Sequence, residues 1–451
     1  LSSRQCRGNA APASLIGRKQ RNCISTEACA CIAVVMQRFA TRYTYEASTG
    51  TTGAAAAVLV LAALALVATV VTSPPNFVYD EPYYANYVAL FRRYGLTEEF
   101  LDALTGGAGP LYAFVHRALE PLTNLSPVRM RLVNVVLLAV VVGILAAWLK
   151  RQNRPDYLLA SCTILAVPMT WVLAGMALTS MPSLVFASLS LYVLLRGVEA
   201  LEQGTPVLGW FVAAGVCLGV AVWGRQTALV LSGVPVLLAL LDRRLRLPAL
   251  VFVAIVVVFT APLVIAWEGF TPPNEEADEG LSLRHGLTSL GYTGLCFFLL
   301  APRLKWLSWK SLVASAVVAA TVNASLEIVV IFPLTSFVDD FMSATGMAAG
   351  ASLFGSLLVF CGVMFLGRIL RIICQGRRDL KRVTINVGLL CIALSPALIA
   401  NYYSSRYTAM ALPYLVLAAQ PWRAWGWQMS GAAIAGCTMG LLSLLGYFWA
   451  T

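Results

Sequence analysis

Two adjacent carboxylates, Asp80 and Glu81, stand between Tyr79 and Pro82, at the end of an extended stretch that begins at Pro74-Pro75. At the edge of an apolar segment one carboxylate can act as a general base that strips a proton from an attacking hydroxyl. The two together can instead ligate a divalent metal. Asp80 two residues ahead of Pro82 also suits a plain helix cap, and on these residues alone the cap and the chemistry stand level. Arg225, in Gly224-Arg225-Gln226-Thr227, and Arg406, in Ser404-Ser405-Arg406-Tyr407, each sit alone at the end of an apolar segment. Snorkelling to lipid head groups is the plain account of such arginines, and Arg284, beside His285, is a third. Tyr79, Tyr83 and Tyr407 stand at the same apolar edges, where tyrosines at a membrane interface need no special role.

The elements that must position these residues follow from composition. Of 451 residues, 59% are hydrophobic and 12% charged, where a soluble domain carries about 45–50% apolar and about 25% charged residues. A water-soluble enzyme is excluded, and the chain reads as an all-α polytopic membrane protein. Hydropathy gives about 13 transmembrane helices, near 54–73, 128–149, 157–175, 179–197, 206–223, 226–242, 248–267, 286–302, 311–333, 347–367, 383–400, 406–420 and 429–449. Residues 51–451 form one transmembrane domain with an outer loop over 74–126, and residues 1–50 read as a disordered tail or an over-extended gene start. Cys6, Cys23, Cys29 and Cys31 in that tail match no zinc-ligand spacing.

Within the outer loop, Tyr83, Tyr84, Tyr87, Leu90, Phe91 and Tyr94 recur at helical spacing, which predicts an interfacial helix with its aromatic side toward lipid. Gly106-Gly107-Ala108-Gly109-Pro110 breaks the chain, and Leu111 to Leu119 predicts a second amphipathic helix ended by Pro121. A cytoplasmic N-terminus places most of the 32 Lys and Arg residues in cytoplasmic connections, as the positive-inside rule requires. The basic surplus is then an orientation signal and not a nucleic-acid footprint. Left over on the outer side are Arg92, Arg93, Arg117, Arg129, Arg131, Arg225, Arg284 and Arg406. Most of the acids lie there too, so chemistry is expected on that face.

With these residues in view, the chain resembles the GT-C membrane glycosyltransferases, the superfamily of protein O-mannosyltransferases, aminoarabinose transferases of lipid A and dolichol-phosphate-glucose-dependent glucosyltransferases. The resemblance rests on the Asp80-Glu81-Pro82-Tyr83-Tyr84 run after the first span, the interfacial helices, Pro110-Leu111-Tyr112, and Arg129-x-Arg131-Leu132-Val133-Asn134 opening the second span. It extends through Ala177-Leu178-Thr179-Ser180-Met181-Pro182, Gly224-Arg225-Gln226-Thr227 and Ser404-Ser405-Arg406-Tyr407, and covers about residues 50–420. It implies an inverting transfer of a sugar from a polyprenyl-phosphate donor to a hydroxyl of a lipid, glycan or protein acceptor at the outer face. Asp80 would be the base, Glu81 would assist or ligate a metal, and Arg225, Arg406 and Arg284 would hold the donor phosphate. Tyr79, Tyr83, Tyr407 and His285 would line the substrate.

Other classes fit less well. There is no HExxH motif and no Walker loop, which disfavours a zinc hydrolase and direct use of ATP. A secondary transporter or lipid flippase is the alternative, but it would gather ionisable groups near the midplane of two related halves, and here the charges collect at one face. Glu327 is the one acid well inside a predicted span, where a functional role and hydrogen bonding within the bundle are equally good accounts. The acidic run Glu268 to Glu279 reads as a solvated loop or a cover for the site. The composition of the spans favours a bacterial plasma membrane, with the endoplasmic reticulum as the other setting.

Overall fold

The computed structural model describes residues 49–104, 108–273, 280–302, 309–326, 350–399, 404–419 and 427–449. The chain separates into Leu1–Ala54 and Ala55–Thr451, and the site lies in the second unit. Glu327, the acidic run at 275–279 and Gly106-Gly107 fall outside the described residues. The described residues are helical, and eight of their helices are long and apolar enough to cross a membrane, or nine if one bent pair counts as a single span.

The difference from the expected 13 spans lies in the short and polar segments. The segment expected to cross as 157–175 is two pieces, Tyr157–Ala166 and Pro168–Gly175, bent by 83°. Pro168 has no N–H to donate and drives its predecessor out of the helical region, and Val167 is indeed extended, at φ −92° and ψ 114°. Leu208–Val222 and Gln226–Leu241 are apolar but shorter than the spanning helices. Leu283–Leu300 is long enough, yet it carries Thr288, Ser289 and Thr293, and all three are buried against protein.

Four helix pairings build much of the bundle. Ser180–Glu202 packs on Leu208–Val222, which packs on Arg246–Trp267. Leu283–Leu300 packs on Gly350–Gln375. The last described helix, Trp427–Trp449, lies along Pro168–Gly175. That approach needs a residue without a side chain, because a Cβ on Gly436 would collide with the Ala166 carbonyl oxygen. Small residues that let helix backbones meet are the usual device inside membranes, where apolar burial gives helices little reason to prefer each other over lipid.

The loop between the first two spans folds as helices Glu81–Tyr94 and Leu111–Ala118, with a short turn of helix at Glu98–Asp102. The aromatic face of Glu81–Tyr94, expected toward lipid, is turned inward except at Tyr83, which stays exposed. Tyr84, Tyr87, Phe100 and Tyr112 are all buried, with Tyr84 set 5.6 Å from Tyr87 and 6.0 Å from Tyr112 between ring centroids. Periodicity fixes which residues share a face but not what covers it, and here the covering surface is the bundle. The loop is clamped on the far side by Gly109. A Cβ there would strike the Trp223 carbonyl oxygen, the same oxygen that accepts a hydrogen bond from Leu111 N at 3.1 Å.

His116 is sealed into this packing, its ring 4.1 Å from that of Tyr112. Burial lowers its pKa from 6.5 to about 4, because a low-dielectric surrounding disfavours the charged imidazolium. The unfolded chain therefore takes up a proton that the folded one refuses, so stability is complete above pH 6.5 and is lost as the pH falls toward 4. The loss is expected to reach about 3 kcal/mol. Thermal unfolding of the detergent-solubilised protein across that range should show it, and His116→Phe should flatten the profile.

Candidate active site

The site is built on one buried ion pair. Arg131 lies one turn into the helix Pro127–Arg151 and has no exposed surface, and neither has Glu81. The guanidinium grips the carboxylate through both edges, Nε to Oε1 at 2.9 Å and Nη2 to Oε2 at 2.5 Å. Its remaining N–H groups donate to Ser73 Oγ at 2.8 Å, the Pro74 carbonyl at 2.6 Å and the Asn76 carbonyl at 2.9 Å. Glu81 in turn accepts from Val78 N at 2.9 Å and Ala177 N at 2.7 Å. Two charges withdrawn from water cost several kcal/mol each and are tolerated only when donors and acceptors are this fully matched.

The pair ties three segments together. It holds the exit from the first span, Ser73 to Asn76, against the start of the second, and through Ala177 it holds both to the bend after Pro168–Gly175. The bend is pinned again by Asn134 Nδ2, which donates to the carbonyls of Met176 at 2.6 Å and Leu178 at 3.1 Å, and by Tyr112 Oη, which donates to Ala177 O at 3.0 Å. Between them the chain makes a tight turn from Val78 to Glu81, closed by Glu81 N on the Val78 carbonyl at 3.1 Å. Tyr79 sits in the left-handed region, at φ 51°. That conformation is strained for an aromatic residue and persists only where the surroundings enforce it.

Asp80 is thereby turned away from Glu81. It begins the helix Glu81–Tyr94 but makes no capping hydrogen bond with its side chain, so the helix-cap reading does not describe it. Its carboxylate instead pairs with Arg406 Nη1 at 2.6 Å, with the two side chains 38% and 23% exposed. Arg406 is aimed by Ser404 Oγ, which accepts from Nε at 3.1 Å, and by Tyr84 Oη at 3.5 Å. The pair lines a cavity of about 170 Å³ with Tyr79, Val172, Met176, Leu178 and Tyr447. Tyr447 meets Tyr79 edge to face, ring centroids 4.8 Å apart. A partly exposed carboxylate and guanidinium and two phenol rings, set against a buried apolar wall, can accept a proton from one reactant and bind an anion on the other.

Of the candidate residues, Tyr79, Asp80 and Arg406 come together here. Glu81 stands behind them with both carboxylate oxygens engaged, so joint ligation of a metal by Asp80 and Glu81 would require breaking the Arg131 pair. Among the described residues no cluster of three His, Cys, Asp or Glu side chains is placed to hold a metal ion. Arg225 is buried next to Trp223, where the Gly109–Leu111 loop docks, and it does not line the cavity. Arg284, Tyr83 and Tyr407 do not line it either. His285 pairs through Nδ1 with the Ile399 carbonyl at 2.6 Å, which ties the start of Leu283–Leu300 to the segment after Leu380–Leu394. Sequence reasoning did not consider Tyr447, placed Tyr84 on a lipid-facing helix side, and gave Arg131 no part in the site. For Arg131 a signal existed: it was an outer-face arginine without a topological purpose, three residues before Asn134 on the same helical face.

No protein-family model matches this sequence, and no curated protein matches it. Among solved structures, the chain is similar to ArnT from Cupriavidus metallidurans in the apo state, at 15% identity and a TM-score of 0.40, covering 88% of this chain and 77% of that one. It is similar also to the same protein bound to undecaprenyl phosphate, at 16% identity and a TM-score of 0.41, covering 87% and 77%.

Removing one member of the buried pair strands the other charge. Arg131→Ala is expected to destabilise the protein by about 3–5 kcal/mol, read as a large drop in the thermal midpoint followed by tryptophan fluorescence. Replacing both partners by methionine should recover much of the loss, since an apolar pair leaves no charge stranded.

Proposed function

We propose that this chain is a membrane-embedded glycosyltransferase of the GT-C type, which moves a sugar from a polyprenyl-phosphate donor to an acceptor hydroxyl with inversion at the sugar carbon. The observation that supports it best is the Asp80–Arg406 pair in a cavity at the bundle's end: a base and a phosphate-binding cation in one small site. The acceptor hydroxyl gives its proton to Asp80 as its oxygen attacks the anomeric carbon. The bond from that carbon to the phosphate oxygen breaks on the opposite side, and the phosphate leaves with the electron pair. The charge that develops on the leaving phosphate is met by Arg406, a cation already fixed in the site. Tyr79 and Tyr447 offer aromatic surface and hydroxyls to the sugar.

The ion pair seen between Asp80 and Arg406 is then the resting arrangement. An arriving phosphate competes with Asp80 for the guanidinium and frees the carboxylate toward the acceptor, so that donor binding switches on the base. Glu81 contributes by position alone. It fixes the turn that aims Asp80.

Sugar transfer from polyprenyl-phosphate donors by purified protein tests the reading. Asp80→Asn is expected to lower the turnover by 10²–10⁴-fold, the range for loss of a general base, with the thermal midpoint little changed. Arg406→Ala should reduce transfer and raise the donor concentration needed. Transfer unaffected by Asp80→Asn would remove the proposed base, and uptake of a solute into vesicles without any transfer would favour a transporter.

A further inference from the structure

The end of the bundle opposite Asp80 holds a second and larger cavity. The helix Pro127–Arg151 starts beside the Glu81 pair and, rising 1.5 Å per residue, reaches Arg151 about 30 Å beyond Arg131. The helix Leu380–Leu394 runs the other way, from Asp379 toward Ile399 and His285. Between the far end of the first and the start of the second lies a cavity of about 310 Å³. Its floor is buried and apolar, with Trp148, Leu149 and Ile385, and its rim carries the exposed side chains of Gln152 and Arg382.

Not every charge at that rim is closed by a partner. Arg154 is closed by Asp156 at 3.1 and 2.8 Å, and Lys381 by Glu202 at 2.7 Å. Asp379 spends one carboxylate oxygen capping the helix, accepting from Arg382 N at 3.0 Å. The Arg382 guanidinium forms no ion pair among the described residues; nor do Arg377 and Arg378 just before it, which do not line the cavity. Orientation in a membrane calls for basic residues at one face, but it does not call for a cavity with an apolar floor beneath them.

We propose that this cavity binds the head group of an anionic phospholipid, its phosphate on Arg382 and Gln152 and its glycerol and upper acyl chain against Trp148 and Ile385. Basic pockets between transmembrane helices favour such head groups, and a guanidinium to phosphate contact is among the stronger hydrogen bonds. An inorganic phosphate would use the rim and leave the floor in water, which is why the lipid is the better occupant. The site is distinct from the Asp80 cavity and does not depend on the chemistry assigned there.

The test is the thermal midpoint of the full chain in neutral detergent with added phosphatidylglycerol, phosphatidylcholine or sodium phosphate at matched ionic strength. Phosphatidylglycerol is expected to raise the midpoint of the wild type and the other two to leave it in place. Arg382→Ala and Gln152→Ala should lose most of the rise, and Arg382→Gln serves should the alanine variant not fold. Arg244→Ala, which removes an exposed arginine paired with Asp242 away from the cavity, should keep the rise, as should Asp80→Asn. An equal rise with phosphatidylcholine or with sodium phosphate would overturn the proposal. So would an undiminished rise in the Arg382 and Gln152 variants, or an equal loss in Arg244→Ala.

Discussion

Everything at the proposed catalytic end of this protein depends on the contact between Arg131 and Glu81. It is an ion pair with no exposure, in which every guanidinium N–H and both carboxylate oxygens have partners. Such a pair adds little net stability over apolar residues of the same shape. What it supplies is geometry. The backbone groups it collects belong to the end of the first span, the turn before the interfacial helix and the bend at Ala177, and none of these segments is regular enough to hold itself in place.

The consequence appears one residue away. Adjacent residues at a helix start point in different directions, so anchoring Glu81 inward commits Asp80 to the cavity, and the left-handed backbone at Tyr79 completes the turn. Arg406 reaches the same point from a segment more than three hundred residues later, and Tyr447 from the last described helix. The proposed base and the proposed phosphate-binding cation are thus first-loop and late-chain residues held in register by a contact neither of them makes. A change at Arg131 would disturb the proposed chemistry without touching a reactant.

Some of this was legible in the sequence. The membrane class followed from the apolar fraction, and the arginines that topology did not need pointed to the end of the bundle where the proposed site lies. Asp80 and Arg406 stood out because a charge at a span end must either leave for water or be used. Pro168 marked the break in its segment, although the hydropathy window averaged across it. The opposite roles of Asp80 and Glu81 were not legible, because they depend on a partner fifty residues away and on a backbone turn that spacing does not encode. Arg225 and Arg284 carried the same local signal as Arg406 and do not line the cavity. A lone arginine at a helix end is equally compatible with packing against a loop, and only the tertiary arrangement separates the two.

The claim at the centre is that Asp80 holds Arg406 until a phosphate takes its place. It is tested most directly by the equilibrium affinity of polyprenyl phosphate, without sugar or acceptor, for the wild type, Asp80→Asn and Arg406→Ala. Neutralising Asp80 removes the competitor for the guanidinium, so Asp80→Asn is expected to bind the lipid phosphate at least as tightly as the wild type, while Arg406→Ala binds it severalfold more weakly. Weaker binding by Asp80→Asn, or unchanged binding by Arg406→Ala, would contradict the exchange and with it the site.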